Sequence, residues 1–229
     1  MAEKSKLWYL ENFNLFKGLN SEKLEHLNKI TNMKDIGKNQ PIYFAKEPSN
    51  SIFFLKKGRI KLTRTSNDGK EMILGLINPG ELFGEMSIYE ENERTDFALA
   101  MEPALICAIN KEEFKKFITE NTELNLKLTR LIGLRIKKYT ERIEELVFKD
   151  AAQRIISFMI RLADDNGKQL GSDVFVKPFL KHQDIANLTA CSRQTVNSVL
   201  TDLREKNIID FDRRKLVIKD KDSLLKFIS

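Results

Sequence analysis

Turn residues recur about every ten positions between residues 36 and 109, and this spacing limits the possible folds more than any other feature. Lys57-Gly58, Asn67-Asp68-Gly69 and Asn78-Pro79-Gly80 separate short runs in which apolar and polar residues alternate. Six of the ten glycines lie in the segment 37–84. Many short strands joined by tight turns predict an antiparallel β-sandwich or barrel.

The pattern becomes helical after Asn110, which is a suitable N-cap for the acidic-then-apolar segment that follows. The segment 122–148 has no proline and one glycine, so it predicts a single helix about 38 Å long. Its apolar residues follow a spacing of three and four that favours a two-stranded coiled coil, at Leu124, Leu128, Leu131, Ile132, Tyr139, Ile143 and Leu146. Packing of this helix on its own sandwich is the alternative, and Arg135 interrupts the seam.

From Asp150 the sequence predicts an amphipathic helix that ends at Gly167, then two helices, a hairpin and a closing helix. We therefore expect an α+β protein of three parts. They are a β-sandwich domain over 1–120, a dimerisation helix over 121–148, and a helical domain with a hairpin over 149–229.

Two of these helices, between residues 182 and 204, are joined by the small residues Thr189-Ala190-Cys191. Ser192 is a good N-cap for the second helix, which is apolar on one face. Its other face carries Arg193, Gln194, Asn197, Thr201 and Arg204. Arginine can donate two hydrogen bonds to guanine, and glutamine or asparagine can pair with adenine. The pattern indicates a DNA-binding helix-turn-helix or, alternatively, a helical hairpin with a solvated face.

The hairpin after these helices supports the DNA-binding interpretation, because its basic residues Arg213, Arg214 and Lys215 could reach phosphates. Charge points the same way. Residues 1–120 carry 18 Lys/Arg and 18 Asp/Glu, whereas residues 149–229 carry 15 and 11. This excess of positive charge suits a polyanionic partner, although solvation alone would also explain it.

A second group of polar residues lies in the segment 83–100. A glycine before a short helical turn exposes backbone N–H groups to an anion. Arg94 could clamp a phosphate, Glu85 could accept a hydrogen bond from a sugar hydroxyl, and Thr95 adds a hydroxyl. A solvated Arg94 among neighbouring glutamates is the alternative.

Several classes of protein are disfavoured. The longest apolar run, Ala104–Ile109, is too short to span a membrane, and the first residues lack a secretory signal. Cys107 and Cys191 form neither a disulfide framework nor a metal motif, so no iron–sulfur cluster is expected, and His26 and His182 support a haem site only weakly. No catalytic constellation is legible. We expect a cytoplasmic protein that is not an enzyme.

The sequence resembles the Crp/Fnr family of bacterial transcription regulators over nearly its full length. The strongest matches are Gly84-Glu85, Arg94-Thr95 and the segment 191–196. The resemblance implies a cyclic-nucleotide-binding jelly roll, a central dimer helix, and a winged helix-turn-helix that reads palindromic operators. The implied partners are double-stranded DNA, a second copy of the chain and RNA polymerase.

The resemblance also assigns roles to residues. It implies a cyclic-nucleotide cassette of Gly84, Glu85, Arg94 and Thr95, with Tyr139 and Thr140 near the base. It implies DNA contacts from Ser192, Arg193, Gln194, Asn197, Ser198 and Lys215. The chain departs from the family pattern at Asp96, Gln194 and Ser198, and its loop between Glu85 and Arg94 is one residue shorter than in the best-known cyclic-AMP receptor. Tyr139 and Thr140 stand where that receptor has threonine and serine, and Tyr139 could stack on a base or fill the pocket. The effector could be cyclic AMP or another small molecule. An effector-independent regulator, or a nucleotide-binding module without DNA output, stays an alternative.

Overall fold

The protein is described from a computed structural model, which describes residues 6–11, 13–89 and 92–228. The chain forms two compact units, Met1–Arg135 and Ile136–Ser229. The division falls inside the long helix predicted over 122–148. Because it coincides with neither predicted boundary, the domain limits at residues 120 and 148 stay predictions. None of the helices in the described part of the chain is long and apolar enough to cross a membrane.

The described residues of the first unit form strands and short helices before the long helix is reached. The helices are α1 (Lys6–Glu11), α2 (Ser21–Ile30) and α3 (Lys111–Thr119). The strands are β1 (Thr31–Ile36), β2 (Pro41–Tyr43), β3 (Ser51–Lys57), β4 (Ile60–Thr65), β5 (Glu71–Ile77), β6 (Leu82–Phe83), β7 (Phe97–Ala100) and β8 (Ala104–Asn110).

These strands form two antiparallel sheets, in the orders β1-β8-β3-β6 and β2-β7-β4-β5. Neighbouring strands are mostly not consecutive in sequence, which is the arrangement of a jelly roll. The predicted antiparallel sandwich is confirmed. Its interior is apolar, with Leu55, Ile60 and Ile106 fully buried.

A second core lies outside the sandwich, between strand β3 and the helices. Phe13, Phe16 and Phe54 pack ring against ring there, with centroids 5.0–5.5 Å apart. Helices α1 and α2, which contribute to this core, were not predicted from the sequence. Their apolar residues are spread over too short a segment for a clear period.

The predicted N-cap of α3 is confirmed, because the Asn110 side chain accepts hydrogen bonds from the amides of Glu112 and Glu113. The long helix α4 (Thr122–Phe148) follows at once. In its first turns Leu124 and Leu128 are 1% exposed and belong to the helical core of the first unit. Packing on the protein's own domain, the alternative interpretation of this helix, therefore holds for these two residues.

The second unit contains the remaining helices and a small sheet. The helices are α5 (Ala151–Asn166), α6 (His182–Thr189), α7 (Arg193–Glu205) and α8 (Lys221–Lys226). The strands are β9 (Gly167–Leu170), β10 (Asp173–Val176), β11 (Ile209–Phe211) and β12 (Leu216–Ile218), in the antiparallel order β11-β12-β10-β9. The predicted helices and C-terminal hairpin are confirmed, and the β9–β10 hairpin is an addition.

Candidate effector pocket and nucleic-acid interface

Gly84 is the turning point between β6 and a 3-10 helix that follows it. Its φ of +74° lies in the left-handed region that favours glycine. A Cβ at this position would be 2.7 Å from Nη1 of Arg94 and 3.2 Å from the ring of Phe53. The Gly84 carbonyl accepts a hydrogen bond from the same Nη1, at 3.1 Å. The turn and the arginine are therefore fitted to each other.

Arg94 is buried in the first unit, at 5% exposed. The alternative of a solvated arginine is therefore wrong. Besides its bond to Gly84, its Nη2 donates to the carbonyl of Ser51, and its guanidinium lies 4.4 Å from the centroid of the Tyr43 ring. Its assignment as a phosphate clamp stays a prediction.

Glu85 is also 5% exposed, and it forms an ion pair with Arg135 of α4. Arg135 donates a further hydrogen bond from Nη2 to the carbonyl of Leu82, at 2.8 Å. Sequence reasoning treated Arg135 only as an interruption of an apolar seam. Nothing local in the sequence links two residues fifty positions apart, and only the tertiary fold brings them together.

Asp96, the departure from the family pattern, is turned toward Tyr43, whose hydroxyl donates to its Oδ2 at 3.3 Å. Burial raises the pKa of Asp96, although the Tyr43 hydrogen bond and Arg94 act in the opposite direction. The neighbouring Thr95 is exposed, and its carbonyl accepts a hydrogen bond from Nε of Arg64. The carboxylate beside the cassette therefore has a hydrogen-bonding partner of its own.

The remaining cassette residues, Tyr139 and Thr140, lie on α4 in the second unit. Tyr139 is 39% exposed, and the Thr140 hydroxyl donates to the carbonyl of Ile136. Their part in effector binding stays a prediction. Within the described residues no group of three His, Cys, Asp or Glu side chains is arranged to hold a metal ion.

Helix α7 has the two faces that the sequence predicted. Val196, Leu200 and Leu203 are at most 1% exposed, and the cap is confirmed because Ser192 Oγ accepts from the amide of Thr195 at 2.9 Å. Ala190, in the turn before it, adopts the left-handed conformation with φ +52°. The opposite face is exposed and polar, at Arg193, Gln194, Asn197, Ser198 and Thr201.

Arg204 is exposed like the others, as the sequence predicted, but its side chain is engaged with the neighbouring hairpin. It donates to the carbonyl of Phe211, lies 3.6 Å from the centroid of that ring, and approaches Asp210 at 3.4 Å. It therefore fastens the end of α7 to the β11–β12 hairpin. The tip of this hairpin is ordered by Asp212, whose carboxylate accepts from the amide of Lys215 at 3.0 Å.

Arg154 of α5 positions the helix-turn-helix, a role that sequence reasoning missed. Its Nε donates to the carbonyl of Thr189 at 2.9 Å, and its Nη1 donates to the carbonyl of Lys149 at 2.8 Å. One side chain thus links the α4–α5 corner to the turn before α7. An arginine on an amphipathic helix carries no local sign of such a role.

Several apolar residues of α4 form one stripe, which begins at Ile132, a partly buried residue packed against the helical core of the first unit. Ile132, Ile136, Tyr139, Ile143 and Leu146 follow one another at intervals of four, three, four and three residues. The last four are between 39% and 61% exposed. Relative to the predicted seam, Ile136 is added, and Leu131 falls on a different face of the helix.

A β-jelly roll, a long helix and a winged helix-turn-helix, in this order along the chain, are together typical of one class of DNA-binding transcription regulator. Two family profiles match the same regions. Residues 33–121 match the cyclic nucleotide-binding domain, and residues 153–227 match the Crp-like helix-turn-helix domain. The chain belongs to the Crp/Fnr family, and it is a DNA-binding transcriptional regulator of that type.

Individual relatives are similar along most of their length. The global nitrogen regulator of a Nostoc species is 31% identical over 79% of this chain and 82% of its own. The CRP-like cAMP-activated global transcriptional regulator of Mycobacterium tuberculosis is 25% identical over 92% of this chain and 94% of its own. The structure of a CooA mutant from Carboxydothermus hydrogenoformans superposes with a TM-score of 0.81 at 27% identity, covering 96% of this chain and 98% of the other.

Proposed function

We propose that the protein is a homodimer that reads palindromic operators with helix α7 and contacts backbone phosphates with the β11–β12 hairpin. The observation that carries this proposal is the exposed polar face of α7. Its N-terminal residues are presented by the Ser192 cap, while the opposite face is held in the core of the second unit. Recognition helices of this type place their N-terminal residues against base edges in the major groove.

Within this interface Arg193 is suited to guanine, while Gln194 and Asn197 are suited to adenine. Ser192 and Ser198 complete the face that meets the groove. Lys215 at the exposed hairpin tip is suited to phosphate. Since Gln194 and Ser198 replace the residues usual in the cyclic-AMP receptor, we expect a different half-site at the bases that face them.

The apolar stripe of α4 is the proposed dimer interface. Its alternating intervals of four and three residues are those of a coiled-coil seam. Large exposed apolar surfaces on a monomer mark interaction sites. Leu124 and Leu128 are removed from the proposed seam because the first unit buries them. A symmetric pair of α7 helices would meet successive major grooves about 34 Å apart.

A small anionic effector, with a cyclic nucleotide as the first candidate, is proposed to control this dimer from the cassette. Arg94 would meet the phosphate and Glu85 a sugar hydroxyl. Both residues already have partners within the first unit, so the ligand must compete with the Gly84 and Ser51 carbonyls and with Arg135. Arg135 lies on α4. A ligand that takes the place of Arg135 as the partner of Glu85 would therefore act directly on the helix that carries the seam. Control of this kind is a shift between two populated arrangements of α4.

A DNA partner makes the cytoplasm the proposed site of action. RNA polymerase is the further partner that a regulator of this family would meet at a promoter. A polymerase pull-down on operator DNA, with and without the protein, tests this part separately.

Two experiments test the proposal. Selection from random duplexes should return a two-fold symmetric sequence, and light scattering should give a dimer at micromolar concentration. A monomer that is indifferent to every duplex at low salt would refute the DNA and dimer proposals together. Thermal shift and calorimetry with cyclic AMP and cyclic GMP then test the effector. Operator binding that is strong without ligand and unchanged by either nucleotide would favour the effector-independent alternative.

A further inference from the structure

His182 lies where three parts of the DNA-binding unit meet. It is the first residue of α6, and its ring is packed edge-on against Phe211 of strand β11, with the centroids 5.6 Å apart. The Phe211 ring is itself held in place, because the guanidinium of Arg204 of α7 lies over it. The ring is half-buried and has a defined place beside the recognition helix.

The charged groups that face the ring are cationic. They are Arg193 and Arg204 of α7. Strand β11 contributes the uncharged ring of Phe211, and its Asp210 is drawn toward Arg204. On the chain around His182 itself, Lys181 precedes it, and Asp184, in the same first turn of α6, is buried.

Burial lowers the pKa of His182 below its ordinary value, and the repulsion from Arg193 and Arg204 lowers it further. In the free protein the imidazole is therefore neutral at neutral pH. Because these two guanidinium groups disfavour the protonated ring, an anion that approaches them makes protonation of His182 easier.

We propose that binding of DNA adds a proton from solvent to His182, so that the affinity for the operator rises as the pH falls. This inference rests on the DNA interface proposed above, and it assigns to that interface a further contact and a pH dependence. In a helix-turn-helix complex the first helix crosses the DNA backbone while the second enters the groove. A phosphate near Arg193 offsets the repulsion on the ring. The imidazolium then has two N–H donors for phosphate oxygens.

The direction follows from linkage. The pKa of His182 is higher in the complex than in the free protein, so the gain in affinity is absent at a pH above both values. It grows as the pH falls between them and is complete below the lower one. Each unit of difference between the two pKa values gives a tenfold gain. For one phosphate contact we expect roughly a threefold to tenfold gain, with a slope of no more than one proton per subunit.

The test measures dissociation constants of the full-length protein for a selected operator by fluorescence anisotropy, between pH 8.0 and 5.5 at constant ionic strength. His182→Gln removes the titrating group. His26→Gln is the matched control, because the chain has two histidines and His26 lies in the first unit, stacked on Phe117. We expect wild type and His26→Gln to bind about threefold to tenfold more tightly at the lower pH, and His182→Gln to lose this change.

A second variant guards against a folding defect in the first. His182→Arg carries a permanent charge, so its affinity at pH 8.0 should match that of wild type at pH 5.5 and should not vary with pH. Calorimetry in two buffers of different ionisation enthalpy counts the protons directly, and we expect the uptake to vanish in both His182 variants.

The outcomes separate this inference from the proposed function. Wild-type protein that binds its operator with no pH dependence overturns the role of His182 and leaves operator binding intact. The same conclusion follows if His182→Gln retains the wild-type slope. Protein that binds no duplex at any pH overturns both.

Discussion

Substitution of Gly84 by alanine measures how firmly Arg94 is held in the first unit. Two costs arise. The φ of +74° places the new side chain in the left-handed region, at a cost of roughly 1–2 kcal/mol. The new Cβ also falls 2.7 Å from Arg94 Nη1, so the guanidinium must move away from the Gly84 carbonyl. A lost hydrogen bond from a charged group adds about 1.5–3 kcal/mol.

Gly80→Ala is the matched control for this prediction. Gly80 has a φ of +92°, but nothing lies within 4 Å of the point that a Cβ would occupy there, so only the first cost applies. We expect Gly84→Ala to lower the free energy of unfolding by about 1.5–3 kcal/mol more than Gly80→Ala does. With a typical slope in urea, this difference moves the unfolding midpoint by about 1 M.

The assay follows urea unfolding by far-ultraviolet circular dichroism, with the two variants measured under the same conditions. Equal losses in the two variants would refute the reasoning, because Arg94 would then leave the Gly84 carbonyl without cost. That result would also mean that a ligand has nothing to displace there.

Three further predictions concern the second unit and the helix that enters it. Arg193→Ala should cost roughly 1–3 kcal/mol of binding free energy at one base position, measured by competition among operator variants. Lys215→Ala should instead weaken the binding of all duplexes alike and reduce the slope of log affinity against log salt concentration by about one. If Arg193→Ala discriminates among operators as wild type does, Arg193 does not read a base. Ile143→Glu should weaken the dimer by more than about 3 kcal/mol, because an unpaired charge would be buried in the interface. Leu126 is exposed and lies off the stripe, so Leu126→Glu should leave the dimer intact. Light scattering over a range of protein concentrations distinguishes the two variants. Burial alone would raise the pKa of Glu145, but Arg161 and Lys149 together lower it below 4.5. The ion pairs of Glu145 therefore stabilise the second unit above that pH and are lost as the pH falls further. Glu145→Gln should reduce the thermal stability at pH 7 and should make the loss of stability on acidification smaller.

Much of the architecture could be predicted because it depends on local patterns. The turn residues near Gly58, Gly69 and Gly80 predicted an antiparallel sandwich, and the caps at Asn110 and Ser192 predicted where two helices begin. These signals act through backbone conformation and hydrogen bonds within a few residues, so they are visible in a single sequence. The polar face of α7 could be assigned for the same reason, since helical spacing alone separates it from the apolar face.

The partners of the cassette residues could not be predicted in this way. The charge of Arg135 is apparent in the sequence, but its position over Glu85 depends on how α4 packs against the sandwich. The same limit applies to Leu124 and Leu128, which have the spacing of a coiled-coil seam yet are buried in the first unit. Periodicity shows that one face of a helix is apolar, and it does not show what covers that face.

The sequence by itself determined the sandwich, the long helix, the winged helix-turn-helix and the residues that α7 exposes. The tertiary structure alone decided which side chains meet across distant segments, as with Arg154 at the Thr189 carbonyl and His182 against the Phe211 ring. The physical reason is one of range. Propensity, capping and periodicity act over a few residues, whereas burial and ion pairing depend on contacts between segments that are far apart in the chain.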